Sequence, residues 1–329
     1  MRELTFAQAI REALDEEMAR DETIFVLGED VGAWGGVFRC TEGLFQKYGG
    51  DRIIDTPLSE EGYVGLAVGA AMTGMHPVPE LMFGDFITLV MDQIVNQAAK
   101  MRYMTGGQVQ VPITIRATMG GGRSSGGQHS QSWHAWMAHV PGLKVVVPST
   151  PYDAKGLLKT ALREPNPVVF FEDKVMYAKV KGLVPEEEYT IPFGKADVKR
   201  QGTDVSLIAL SRMIHPTLVA AEKLAAEGIS AEVVDPRTLT PLDTETLVQS
   251  VAKTGGAVII DEGYNHFGTT AELAASIAYG AFDYLDAPIE RLGAMDVPIP
   301  FSPPLEFATI PDEAAIIAAV HRVLDGRKR

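Results

Sequence analysis

The stretch Ser59-Glu60-Glu61-Gly62-Tyr63-Val64-Gly65-Leu66-Ala67-Val68-Gly69-Ala70 decides how the chain is read, because it sets an acid at the mouth of an otherwise apolar, small-residue helix. A carboxylate in the first turn is favoured by the helix dipole. Gly65, Gly69, Ala70 and Ala71 carry little bulk, so another backbone can approach the helix closely. Two readings fit: Glu60 caps a tightly packed helix, or it stands at the rim of a buried interface and does chemistry there. The rest of the chain has to choose between them.

Outward from this helix, apolar strands at 23–27, 78–81, 113–117, 143–147 and 168–171 alternate with helical patterns at 5–19, 64–75, 88–103 and 152–163. Thr5 can cap the first helix, in which Phe6, Ala9, Ile10, Ala13 and Leu14 recur at helical spacing. Such alternation predicts an α/β unit with a mainly parallel sheet. Residues 179–194 break the rhythm with Pro185, Glu186, Glu187, Glu188, Pro192 and Gly194, and read as a linker. A second cycle follows, with strands at 205–210, 231–234 and 257–260 and helices at 215–227, 243–252, 269–278 and 312–324. The expected fold class is α/β, with two doubly wound domains at 1–180 and 196–329 and a linker at 181–195.

Bulk properties narrow the function. The 329 residues are 46% hydrophobic and 8% aromatic, the balance of a globular protein. A formal charge of -14 argues against a nucleic-acid partner, which would need a basic stripe for phosphates. The single cysteine, Cys40, excludes an internal disulfide and a cysteine-ligated metal, and a reducing cytoplasm is the simplest home. Met1-Arg2-Glu3-Leu4-Thr5-Phe6-Ala7 runs into an acidic amphipathic helix without the apolar core of a signal peptide. No run approaches the roughly 20 apolar residues of a membrane span, so no membrane association is expected.

Met119-Gly120-Gly121-Gly122-Arg123-Ser124-Ser125-Gly126-Gly127-Gln128-His129-Ser130-Gln131 is the second unusual stretch. Its glycines directly follow a strand and let the backbone approach a ligand, and His129 at its end can act as acid, base or hydrogen-bond donor. A flexible surface loop with a solvated His129 fits the same residues. Gly122-Arg123-Ser124-Ser125-Gly126 matches the Gly-x-Ser-x-Gly of a hydrolase elbow, and Ser124 supplies a serine-hydrolase alternative. That elbow needs a strand directly before it and a helix directly after, whereas here more glycines and more loop intervene. His129, His134 and His139 are five residues apart, which would turn successive imidazoles by about 140° around a helix and away from a common metal.

Several segments together resemble the beta subunit of the thiamine-diphosphate-dependent decarboxylating component of 2-oxo acid dehydrogenase complexes. They are Leu27-Gly28-Glu29-Asp30-Val31, Asp55-Thr56-Pro57-Leu58-Ser59-Glu60, Asp92-Gln93-Ile94-Val95-Asn96, Gln128-His129-Ser130-Gln131, Asp153-Ala154-Lys155-Gly156-Leu157-Leu158, Asn166-Pro167-Val168, Gly202-Thr203-Asp204-Val205 and Asp296-Val297-Pro298-Ile299-Pro300. They keep the family's order across essentially the whole chain. The resemblance implies a pyrimidine-binding, transketolase-like first domain and a transketolase C-terminal-like second domain.

By the same resemblance, Glu60 would hydrogen-bond the aminopyrimidine ring and favour its imino tautomer, which calls for a carboxyl held away from water with a raised pKa. Phe86 matches the position that stacks on the pyrimidine, and Glu29 is a supporting acid at the same cleft. His129 matches the histidine that helps bind substrate or passes the acyl group to lipoate. Ile113, Ala161, Leu162, Glu164 and Asn166 fall where some relatives hold potassium, although Glu164 and Pro165 depart from the Asp-Asn-Asn of some members.

The family's diphosphate signature, Gly-Asp-Gly with a later Asn, is missing, because Gly84-Asp85 is followed by Phe86. The resemblance therefore implies an alpha subunit that carries Mg2+ and the diphosphate, in a heterotetramer of two alpha and two beta chains docked on a lipoyl-bearing acyltransferase core. The Gly65/Gly69 helix is expected in a subunit contact. Phe83-Gly84-Asp85-Phe86, Lys100-Met101-Arg102-Tyr103-Met104-Thr105-Gly106-Gly107 and Phe170-Phe171-Glu172-Asp173-Lys174 look most like acetoin or pyruvate members. Gly35-Gly36-Val37-Phe38-Arg39-Cys40-Thr41 is similar instead to the branched-chain group. A branched-chain subunit and a non-catalytic scaffold of the same fold are the alternatives.

Overall fold

The computed structural model describes residues 1–327. It divides into two compact units, Met1–Met119 with Trp136–Phe193, and Gly120–Ala135 with the chain from Gly194 onward.

From the N-terminus the elements are β1 (Arg2–Thr5), α1 (Phe6–Arg20), β2 (Ile24–Gly28), α2 (Leu44–Tyr48), β3 (Ile53–Asp55), α3 (Glu60–Met72) and β4 (His76–Leu81). A 3-10 segment (Gly84–Val90), a π-helical segment (Asp92–Ala98), α4 (Ala99–Met104), β5 (Thr114–Met119), α5 (His134–Ala138), β6 (Lys144–Val146), α6 (Pro151–Ala161), β7 (Val168–Asp173), α7 (Met176–Lys179) and β8 (Lys181–Val184) follow. The first unit's strands run β6-β7-β5-β4-β2-β3, all parallel. Thr5 caps α1 in a full capping box with Gln8. Phe6, Ile10, Leu14 and Met18 of α1 and Leu157, Leu158 and Ala161 of α6 share one core with Ile24, Val26, Val78 and Phe170 of the sheet. Burial of each large side chain there contributes about 1.5–3 kcal/mol.

Local departures from the sequence reading have physical causes. The 88–103 pattern is not one helix: a 3-10 segment is followed by a π segment, in which Asp92 accepts from Asn96 Nδ2 at 2.6 Å and, across the five-residue spacing of a π turn, from Gln97 Nε2 at 3.3 Å. Gly84 enters that region because a Cβ would lie 1.9 Å from the Thr118 carbonyl oxygen. Within the acidic, Pro-containing segment, Lys181–Val184 forms a strand antiparallel to β1. Glu188 binds Lys159 and Arg163, which pull its carboxyl down to about 2. Tyr189 stacks on Tyr152 with ring centroids 4.8 Å apart.

The second unit contains β9 (Asp197–Arg200), β10 (Val205–Ala209), α8 (Ile214–Ala226), β11 (Ala231–Asp235), β12 (Thr238–Thr240), α9 (Thr244–Thr254), β13 (Ala257–Tyr264), α10 (Thr269–Gly280), β14 (Glu290–Ala294), α11 (Pro303–Thr309) and α12 (Glu313–Gly326). Its five-stranded sheet has the order β14-β13-β10-β11-β9, parallel except for the edge strand β9. Val205, Leu207, Val233, Val258 and Ile260 meet Ile214 and Leu224 of α8 and Ile316 and Val320 of α12 in its core.

Candidate active site

In the first unit the parallel strands deliver their functional segments to one edge. β2 ends at Gly28 and passes to Glu29, β3 ends at Asp55 and passes to the loop before Glu60, and β4 ends at Leu81 ahead of Phe83 and Phe86. The crevice outside the carboxyl ends of parallel strands is where open α/β sheets bind ligands. Two hydrogen bonds tie the loops together: Gly32 N donates to Asp55 Oδ1 at 2.6 Å, and Thr56 N donates to the Gly28 carbonyl at 2.9 Å.

Glu60 is the first residue of α3 and half-buried, with Ser59 at the N-cap position making no side-chain cap bond. Beside it, Glu29 is buried, and its Oε1 has no hydrogen-bond partner. Burial, the Glu60 charge and the Asp30 charge, in that order, push Glu29 up to about 7. A helix-capping acid has no need of a second, buried acid. A buried Glu29 that keeps its proton towards neutrality beside a second carboxylate is an arrangement able to hold or pass a proton. One turn along α3, Tyr63 donates to the Glu80 carbonyl oxygen at 3.2 Å, and burial followed by the charges of Glu29, Glu60 and Glu80 raises its pKa.

The raised pKa of Glu29 has a measurable consequence. The unfolded chain ionises this carboxyl near 4.5, whereas the folded one resists until about 7. Its contribution to stability is therefore full below 4.5 and is lost as pH rises through about 7. Denaturant titrations at pH 5 and pH 8 are expected to show a smaller pH-dependent loss in Glu29→Gln than in the wild type. Equal losses would contradict the shift.

Phe86 is half-buried and meets Phe83 edge-on at 6.1 Å, and Phe83 meets Phe38 in the same way. Phe38 in turn stacks on Tyr177 at 4.7 Å. Below these rings lies a buried ionic group that the sequence reading missed. Arg116 holds Glu172 through two hydrogen bonds of 2.7 Å and also binds Glu80, and Tyr177 donates to Glu172 at 2.7 Å. Burial and then the Arg116 charge act oppositely on Cys40, with burial prevailing and raising its thiol well above the usual range.

In the second unit the glycine loop is pinned. Glu306 of α11, fully buried, accepts from Gly122 N at 2.7 Å and Ser124 N at 2.8 Å. Arg212 donates to the Gly121 carbonyl at 3.2 Å and pairs with Glu262 at 2.5 Å. Gly120 N donates to the Gln131 carbonyl at 3.2 Å, and His129 N to the Gly126 carbonyl at 3.1 Å. At the loop's exit His134 Nε2 bonds Asp261 Oδ2 at 2.7 Å. Burial alone would raise the Asp261 pKa, but His134 and the backbone N–H groups of Gly263 and Glu262 outweigh it and lower it. His129 is half-buried. Ser124 lies in this loop, with no helix before His134, so the strand-to-helix setting of a hydrolase elbow is missing. No group of three or more His, Cys, Asp or Glu side chains able to hold a metal occurs among the described residues.

Ile113, Ala161, Leu162, Glu164 and Asn166 gather between the end of α6 and the start of β7. The Ile113 carbonyl accepts from Val168 N at 2.9 Å, and the Ala161 carbonyl from Thr114 Oγ1 at 3.1 Å and Glu164 N at 3.2 Å. Glu164 accepts from Lys144 at 2.6 Å, and Asn166 Oδ1 from Arg102.

Residues 2–179 match the family described as transketolase, pyrimidine binding domain, and residues 194–316 match transketolase, C-terminal domain. The chain is 48% identical, over 98% of its own length and 98% of the relative's, to the acetoin:2,6-dichlorophenolindophenol oxidoreductase subunit beta of Bacillus subtilis. It belongs to the family of transketolase-like dehydrogenase beta subunits. Within this family it is also 47% identical to the pyruvate dehydrogenase E1 component subunit beta of Bacillus subtilis, over 99% of the chain and 100% of the relative. It is equally 47% identical to that organism's 2-oxoisovalerate dehydrogenase subunit beta, over 94% and 96%. A solved split gene transketolase, described as an inactive beta4 tetramer, superposes with a TM-score of 0.78 at 25% identity, covering 98% of this chain and 99% of that one. No helix among the described residues is long and apolar enough to cross a membrane.

Proposed function

We propose that this beta subunit serves a thiamine-diphosphate-dependent dehydrogenase acting on pyruvate or acetoin, with acyl transfer to a lipoyl group. The observation that carries the reading is the Glu29–Glu60 pair, with its buried unpartnered oxygen and a proton retained to about 7. That donor and acceptor set fits an aminopyrimidine, whose ring nitrogen and exocyclic amine need one of each. Phe86 offers a ring face beside it.

Thiamine diphosphate, when bound, would supply a carbon nucleophile for the substrate carbonyl and a cationic ring as the sink for the electron pair released on cleavage. Glu60 would exchange a proton with the pyrimidine nitrogen, while Glu29 beside it keeps its own carboxyl proton towards neutrality. Phe86 orients the ring and excludes water. His129 would hold the substrate oxygen or move a proton during transfer to the lipoyl sulfur.

Asp85 is buried, and Gly84 is packed against Thr118, so Gly84-Asp85-Phe86 is built into the sheet edge rather than free to grip a diphosphate. This supports an alpha subunit as the source of Mg2+ and diphosphate binding, in a heterotetramer of two alpha and two beta chains on an acyltransferase core in the cytoplasm. Leu66 of α3 is 59% exposed and lies beside the open backbone of Gly69, which suits the face expected in a subunit contact. Potassium, if held, would rely on the carbonyls of Ile113, Ala161 and Leu162, because Glu164 and Asn166 already bind cations. A higher melting temperature in KCl than in NaCl is the expected sign, and equal values would remove the ion from the proposal.

Co-expression and co-purification with an alpha subunit from the same genome, followed by assay on pyruvate, acetoin and branched 2-oxo acids, tests the function. Cofactor-dependent turnover of pyruvate or acetoin is expected. Preference for branched substrates would move the chain to the branched-chain group, and a cofactor-loaded complex inert on all of them would leave a scaffold.

A further inference from the structure

We infer that Glu306 is a positioning residue that sets the conformation of the glycine loop and thereby the place of His129; the catalytic part of this inference rests on the role proposed above for His129. A fully buried carboxylate that accepts two backbone N–H groups, from Gly122 at 2.7 Å and Ser124 at 2.8 Å, is an unusual way to finish a loop rich in glycine. Glycines make such a loop entropically costly to order. A charge-assisted acceptor facing two amides offsets that cost at the point where the chain turns.

The surroundings leave little freedom for the turn. Gly122 has φ +94°, which glycine adopts freely, whereas Ser124 at φ +54° holds a left-handed conformation that a residue with a Cβ rarely takes. A Cβ at Gly121 would lie 3.0 Å from Ile310 Cδ1 and 3.4 Å from Glu306 Oε1, so the loop is seated directly on α11 and its flank. Arg212 holds the preceding carbonyl of Gly121, so donors and acceptors on both sides of one peptide are engaged by buried or half-buried charges. His129 lies at the far end of the same turn, tied back by its N–H to Gly126. The two amides engage both carboxyl oxygens of Glu306, Gly122 N on Oε1 and Ser124 N on Oε2.

Glu306→Gln keeps the shape but leaves a single acceptor oxygen and an NH2 that faces an N–H. In the assembled complex, hydrogen exchange at the amides of Gly122 and Ser124 is expected to rise roughly tenfold, the factor that corresponds to one net hydrogen bond. Turnover is expected to fall by about 10²-fold through misplacement of His129. Because the effect passes through that side chain, Glu306→Gln added to His129→Ala should cost little more than His129→Ala alone. Glu306→Asp, which retains the carboxylate, should recover part of both losses. Unchanged exchange in Glu306→Gln, or losses that multiply in the double variant, would overturn the inference. If the wild-type complex shows no cofactor-dependent turnover, the proposed function fails, while the exchange measurement still decides whether Glu306 holds the loop.

Discussion

Glu60→Gln in the assembled complex is expected to lower cofactor-dependent turnover by about 10²–10⁴-fold, the usual contribution of a positioned acid or base, with the fold intact. Gln fills the same space at the first position of α3, and the lost interaction with the helix dipole is worth only about 0.3–1 kcal/mol at such a site. What disappears is a carboxylate able to exchange a proton with the pyrimidine nitrogen. A second consequence separates this chemistry from simple cofactor loss. The Glu60 charge is the second-largest cause, after burial, of the high pKa of Glu29. With a neutral Gln beside it, Glu29 should titrate below its wild-type value of about 7, which carboxyl-edited NMR can follow without any turnover. Undiminished turnover in Glu60→Gln would sink the proposed role, whatever happens to Glu29.

The architecture was legible because period and punctuation agree along the chain. Apolar runs such as Ile24–Gly28 and Val205–Ala209 are fully buried parallel strands, and the intervening helices carry their apolar face at helical spacing. Helix boundaries were less legible. The apolar pattern begins at Val64, but α3 begins at Glu60, since polar first-turn residues carry no periodicity while the backbone is already wound. The π segment at Asp92–Ala98 differs from an α-helix by one residue per turn, which composition does not encode.

The site divides in the same way. Glu29, the Glu60 start of α3 and Phe86 in the 3-10 segment each come a few residues after a strand end, where function concentrates, so local sequence could nominate them as candidates. Glu306 sits 184 residues from Gly122 in sequence and is visible only once the chain is folded. The available signal for Asp261 and Glu262 was their place in an apolar strand, Ala257–Tyr264, where ionisable residues need a partner. Arg116 gave the same signal between Ile115 and Ala117.

Arg116→Met is the substitution expected to harm the first unit most. It leaves Glu80 and Glu172 buried with no cation between them, and breaking a buried pair from one side costs about 3–5 kcal/mol. On a unit of this size that corresponds to a melting point roughly 10 °C lower. Glu80 already has a raised pKa, set by burial against the opposing pull of Arg116, and removal of the guanidinium raises it further. A raised carboxyl contributes stability below its unfolded pKa and loses it as pH increases, so the variant's deficit should be smaller at pH 5 than at pH 8. Glu80→Gln/Arg116→Met/Glu172→Gln should restore much of the lost stability, because no buried charge remains. If the triple variant melts as low as the single one, lost packing rather than the uncompensated buried charge is the cause. The loss should also reach the site. Glu80 and Arg116 are paired in register on β4 and β5, whose ends launch Phe86 and the glycine loop, and Tyr63 anchors α3 to the Glu80 carbonyl. Loosening these two strands therefore moves both Phe86, the ring proposed to orient the pyrimidine, and the helix that begins with Glu60, so cofactor affinity is expected to fall even at temperatures where Arg116→Met is folded.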